Sequence, residues 1–195
     1  MTTIGLIRHG ITDWNECNRA QGWTDIPLNE RGYSQAQAIA QRLSAEHWDI
    51  VFSSPLARAR QTAEAIRKAI RINIIEHDDR LKEINCGLIE GTTEEDRLRQ
   101  WGADWRSQDL GMEPYAEVAK RGITWINEIS HIYANKRILV ISHGAWIGLT
   151  LQHLLPAEYP STHIDNASLT LLSQQHNQWR CTLYNCTDHF LESIN

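Results

Sequence analysis

The chain has 195 residues, 42% of them hydrophobic and 22% charged, with a formal net charge of −5. That balance fits one ordinary soluble globular domain with a sizeable core, and it excludes disordered, collagen-like and fibrous architectures. A weak acidic excess also argues against general nucleic-acid binding, because neutralising a phosphate backbone needs a basic surplus.

The elements alternate along the chain. Thr3 to Ile7 is a short apolar run that ends in Arg8-His9-Gly10. Asn29 is placed to N-cap a helix over about 30–45, with Ala36, Ile39, Ala40 and Leu43 on one face. Asp49 to Ser53 reads as a second strand, and Ser54-Pro55 as the N-cap and first position of a helix through about Ala69. A third strand is expected over 72–76. Residues 86–112 are irregular, with a short helix over 94–101. A long helix is predicted over about 114–133. Arg137 to Ser142 is the clearest strand, and a helix follows over about 145–155. Two closing strands are expected over 167–173 and 179–184.

This order predicts a three-layer α/β/α sandwich with a mainly parallel sheet, in one domain over 1–195. Residues of about 86–112 are expected to form a small cap or insertion over the site. No apolar run approaches the roughly 20 residues that cross a bilayer, and the N-terminus lacks the pattern of a signal peptide. Cys17, Cys86, Cys181 and Cys186 form no CxxC pair, which suggests free thiols in a reducing cytoplasm.

In a parallel sheet, ligands sit beyond the carboxyl ends of the strands. Three strand ends carry unusual polar residues: Arg8-His9-Gly10, Ser53-Ser54-Pro55 followed by Arg58, and Ser142-His143-Gly144. Two His and two Arg are thereby expected to converge, although 134 residues separate His9 from His143. Gly10 and Gly144 leave room for tight turns and close backbone approach. Guanidiniums match phosphate oxygens bidentately, and a histidine can act as a covalent nucleophile. The chain has no Walker loop, HExxH helix or CxxC pair, so neither a metal nor another cofactor is expected.

At this point the sequence resembles the histidine phosphatase superfamily, also called phosphoglycerate mutase-like. Leu6-Ile7-Arg8-His9-Gly10 with Thr12-Asp13-Trp14-Asn15 opens the match. Residues 21–32 from Gln21 to Gly32, 53–63 from Ser53 to Ala63 and 81–91 from Leu81 to Gly91 extend it. Val140 to Gly144 and Asn166-Ala167-Ser168 complete it, in family order across nearly the whole chain.

The resemblance implies a small metabolite phosphatase that works through a phosphohistidine on His9. It assigns phosphoryl binding and charge stabilisation to Arg8, Arg58 and His143, and acid then base catalysis to Glu83. Asn15, Gln21 and Gly22 would contact the substrate from the first loop. The expected partner is a small-molecule phosphate ester, with no nucleic acid and no membrane.

Some positions depart from the family pattern. Ile11 follows RHG, Ile89 stands where Trp is common, and Met112-Glu113-Pro114 replaces a GES segment. These bear on substrate more than on reaction type.

Other residues have plainer readings. Arg60 is taken as structural or an ion-pair partner, and Arg19 as a pocket or surface residue in equal measure. His189 is expected at the surface. Trp101 and Trp105 are expected to pack in the core or cap rather than to form a ligand shelf. Glu113 and Asp25 stand as alternative proton donors to Glu83.

The rival activity is a cofactor-dependent phosphoglycerate mutase. Mutases of this type carry an insertion with neighbouring Arg residues, whereas residues 92–111 here are short, with isolated Arg97, Arg99 and Arg106. An inert phosphate-binding or scaffold protein would have lost the nucleophile or an Arg, and both are kept. α-Ribazole phosphate and fructose bisphosphate are possible narrower substrates, and the pocket residues do not choose between them.

Overall fold

A computed structural model of the chain describes residues 1–156, 158, 163–176 and 178–190. Positions 157, 159–162, 177 and 191–195 of the expected 1–195 domain lie outside the described residues.

Hydrophobic residues on both sides of the central strands give the sheet two buried faces there. The strands are β1 (Thr2–Arg8), β2 (Ile50–Ser53), β3 (Ile75–His77), β4 (Arg137–Ser142), β5 (Leu169–Gln175) and β6 (Gln178–Cys186). Their order is β3-β2-β4-β1-β5-β6. The pairings β3–β2, β2–β4 and β4–β1 are parallel, whereas β1–β5 and β5–β6 are antiparallel.

The helices are α1 (Asp13–Glu16), α2 (Glu30–Leu43), α3 (Ala57–Ile70), α4 (Glu94–Trp101), α5 (Tyr115–Ile132) and α6 (Gly144–Leu154). The alternation along β4 shows how they sort. Ile138 and Val140 join Trp125 of α5 and Trp146 of α6 in one core. Leu139 and Ile141 join Ile39 of α2 and Ala63 of α3 in the other. Ile89, Trp105 and Leu110 from the irregular 86–112 segment are buried in the α5–α6 core. Trp105 also donates to Glu94 and lies against Arg97 and Arg106, which is the packing role expected for it.

Two boundaries differ from expectation for identifiable reasons. Helix α3 begins at Ala57, not at Pro55, with Leu56 as an N-cap that makes no side-chain cap bond. Ser54, just past β2, stays bound to β4, its N–H donating to Ile141 O. The cap comes instead from Asp25, which accepts from Ala57 N–H at 2.5 Å across 32 residues of sequence. A partner that far away in the chain leaves no local signal. Strand β3 also starts later than expected, because its ladder to β2 begins only at the Val51–Ile75 pair. Among the described residues no helix is long and apolar enough to cross a membrane.

Candidate active site

The parallel strands end side by side, and their ladders carry the polar residues to one edge. His9 N–H donates to Ser142 O, Ser54 N–H to Ile141 O and Asp78 N–H to Ser53 O. Gly10 follows directly, where an added Cβ would lie 2.5 Å from Gly32 O, so only glycine allows this approach of β1's exit to α2.

His9, Arg58 and His143 meet there with almost no exposure, at 2%, 0% and 0%. The two imidazole centroids are 5.1 Å apart, at an interplanar angle of 61°. His9 Nδ1 lies 2.7 Å from Gly10 O, so this nitrogen carries the proton and donates it to the carbonyl. That tautomer leaves a lone pair on His9 Nε2, which receives Arg58 Nε–H at 3.2 Å.

Arg58 is held by its other nitrogens. Nη1 donates to Thr24 O at 3.1 Å and Nη2 to Gly22 O at 2.7 Å. The loop carrying those carbonyls is in turn fixed by Glu90, whose Oε1 accepts from Gly22 and Thr24 N–H at 2.8 and 3.0 Å. Gly22 has no alternative, since a Cβ there would sit 2.6 Å from both Glu90 Oε2 and Ile84 O.

Burial sets the electrostatics. It pushes the Arg58 guanidinium down to about 10, against the pull of Glu83, Glu90 and Asp25, so Arg58 stays charged at neutral pH. Burial first, then Arg58 and other neighbouring charge, holds the His9 and His143 imidazoles well below their usual range. Both are neutral at pH 7. Neutral His9 is the form with a nucleophilic nitrogen.

Arg8, Asn15, Gln21 and Glu83 border one cavity of about 470 Å³ beside this cluster, with Arg19 and His163 also on its wall. Arg8 Nη1 donates to Ile164 O at 2.6 Å. Arg8 Nε, Gln21 Nε2 and His143 Nδ1 are buried without a hydrogen-bond partner among the described residues. Buried polar groups left unpaired are costly, and a polar ligand bound at this edge is one partner that would satisfy them. Asn15 Oδ1 accepts from Thr12 N–H and from Asn166 Nδ2. Its carbonyl is therefore spent on the loop, and its amide nitrogen is the atom left for a ligand.

Glu83 is 8% exposed and sits at the start of α6. Its Oε1 accepts from Ile84 and Trp146 N–H at 2.9 and 3.0 Å, and its Oε2 from Ala145 N–H at 3.1 Å. Oε2 thus keeps lone-pair capacity for a proton or a water.

The structure sorts the remaining candidates. Arg60 pairs with Asp25 at 3.9 Å, as expected of an ion-pair partner. Arg19 borders the cavity and donates to Gly91 O. Asp25 is occupied in capping α3, and Glu113 in a bidentate pair with Arg121. His189 corrects an expectation: it is buried at 3% against Arg42, because α2 packs under the 188–190 turn.

Four supporting residues escaped sequence reasoning. Ser54 Oγ contacts His143 Nε2 at 2.8 Å, and Thr62 Oγ1 accepts from Gly10 N–H. Asn166 Nδ2 donates to His9 O, and Glu90 braces the Arg58 loop. Ser54 follows a strand end and Glu90 precedes a glycine, which is the available signal, whereas Thr62 and Asn166 carry none.

The model of the histidine phosphatase superfamily (branch 1) matches residues 4–187. The uncharacterized phosphatase PhoE of Bacillus subtilis is 36% identical over 97% of this chain and 97% of its own length. A probable phosphoglycerate mutase, GpmB, of Photorhabdus laumondii is 32% identical over 92% of this chain and 88% of its own. Among solved structures, phosphoserine phosphatase from Entamoeba histolytica, in complex with 3-phosphoglyceric acid, superposes with a TM-score of 0.83 at 32% identity. That match covers 97% of this chain and 99% of the other.

Proposed function

The chain belongs to the histidine phosphatase superfamily, and from that premise we propose a phosphomonoesterase that hydrolyses small phosphorylated metabolites in two steps through His9. The observation that carries it is the His9 geometry: Nδ1 spent on Gly10 O, and Nε2 facing Arg58 in a site with three buried, unpartnered polar groups.

In the first step His9 Nε2 attacks phosphorus as the Arg58 Nε–H, its proton kept, redirects its hydrogen bond from His9 to a phosphoryl oxygen. The P–O bond breaks, its electron pair leaves on the alkoxide, and Glu83 supplies the proton. In the second step water attacks the phosphohistidine and gives a proton to Glu83, while the P–N electron pair returns to Nε2. Arg8, Arg58 and His143 stabilise the charge on the transferring group, and Asn15 and Gln21 line its approach, whereas Gly22 spends its N–H on Glu90 and its carbonyl on Arg58 and acts through that guanidinium. The segment 86–112 caps the mouth of the site. A cavity of about 470 Å³ suits a small ester, and four free cysteines suit a reducing cytoplasm. The weak acidic excess fits a small-molecule partner rather than a nucleic acid.

The second reading is mutase activity, supported by the likeness to GpmB. Against it, Arg97, Arg99 and Arg106 are each paired with Glu94 or Glu95, and none borders the cavity. They offer no cationic pair for the far end of a bisphosphate. Incubation with labelled p-nitrophenyl phosphate, acid-free quenching and peptide mapping should place phosphate on His9. A parallel 3-phosphoglycerate assay should show phosphate release without 2-phosphoglycerate. Label absent from His9, or isomerisation faster than hydrolysis, would overturn the reading.

A further inference from the structure

We propose that Arg121 and Glu113, an ion pair that does not border the cavity, are positioning residues that aim Glu83 at the leaving group. This rests on the reading of Glu83 as the acid.

Glu83 lies on no strand or helix. It follows the single-turn helix Asp79–Leu81, in a stretch whose backbone has no ladder to hold it. Arg121 replaces that ladder. Its Nη1 donates to Arg80 O at 2.7 Å and to Lys82 O at 2.6 Å, and its Nη2 to Glu83 O at 3.0 Å. The remaining N–H groups go to Glu113, Nε to Oε1 at 2.8 Å and Nη2 to Oε2 at 3.1 Å. All five guanidinium donors are thereby used.

Glu113 grips the same stretch from the other side. Its Oε2 accepts from Asn85 N–H at 3.1 Å, and its own N–H donates to Asn85 O at 2.9 Å. Both side chains are only 18% exposed, so water competes weakly for these bonds. A planar fork with five fixed donors can bind three carbonyls and a carboxylate at once, and an ammonium cannot. The pair therefore sets where the Glu83 backbone sits relative to the α6 N-terminus, and so where its carboxyl points.

The role predicts a leaving-group signature. Single-turnover rates of His9 phosphorylation would be measured by rapid mixing, over monoesters from p-nitrophenyl phosphate to ethyl phosphate. General acid catalysis contributes on the order of 10²- to 10⁴-fold, and mainly to poor leaving groups. Arg121→Lys and Glu113→Gln should each slow ethyl phosphate about 10-fold or more beyond p-nitrophenyl phosphate, steepening the dependence toward that of Glu83→Gln. A parallel fall for all esters, with an unchanged slope, overturns the positioning role. If Arg121→Lys fails to fold by circular dichroism, Glu113→Gln decides alone. If Glu83→Gln itself leaves the slope unchanged, the acid assignment has failed and the inference falls with it, an outcome distinct from failure of the pair alone.

Discussion

The two halves of the site are built by different means. The proposed phosphoryl side stands on regular structure: His9 one residue past β1, His143 one past β4, and Arg58 in the first turn of α3. Parallel ladders fix their spacing, and the side chains are buried and locked in pairs. The proposed leaving-group side stands on irregular chain, where Arg121 and Trp23 donate to Glu83 O and Glu113 grips the neighbouring Asn85. The contrast teaches that strand ends can fix side chains by backbone ladders alone, whereas a residue on irregular chain needs distant side chains to pair its backbone.

That contrast can be broken most severely at the nucleophile. His9→Ala should lose at least about 10⁴-fold in turnover of p-nitrophenyl phosphate with the fold intact by circular dichroism, since the covalent route is gone. Substantial activity in the purified variant would sink the assignment. On the other side, Glu83→Gln should slow alkyl phosphates by about 10²- to 10⁴-fold. It should show a burst of p-nitrophenol with the aryl ester, because water attack on phosphohistidine then limits turnover. Equal effects on both esters with no burst would move the acid elsewhere.

Arg58→Ala should cost about 10²- to 10³-fold in kcat/KM by removing charge stabilisation. It also strips Gly22 O and Thr24 O of their donor, so the loop should become more protease-sensitive. A change confined to KM would mean that Arg58 binds the ground state and transition state equally.

Stability should report the same burial. His9 and His143 stay neutral in the fold, while in the unfolded chain they titrate near 6.5. Below that pH the unfolded state binds more protons than the folded one, so stability falls as pH drops from about 6.5. Tm should decrease from pH 7 to pH 5, and less steeply in His143→Gln. An unchanged slope in that variant would show that His143 is not held neutral.

The smallest expected effect is at the α3 cap. Asp25→Ala should destabilise by about 0.5–2 kcal/mol, read from the shift in urea midpoint at constant m. No shift would mean that Ala57 N–H finds another acceptor.

Much of this was legible in the chain. The continuous apolar run of β4 and the amphipathic face of α2 are both visible in the hydrophobic pattern, which is why those elements match closely. The convergence of Arg8, His9, Arg58 and His143 follows from strand order, since a parallel sheet collects strand ends at one edge. Glu83 was picked out only by family resemblance, because an acidic residue in a loop carries no periodic signal. Illegible were the contacts made at a distance: Asp25 capping α3, Glu90 bracing the Arg58 loop, and Arg121 aiming the Glu83 backbone. Periodicity is a local property and selects helix or strand from nearby residues alone. Which polar side chain satisfies which distant backbone group is decided only once packing brings them together and excludes the water that would otherwise pair with each.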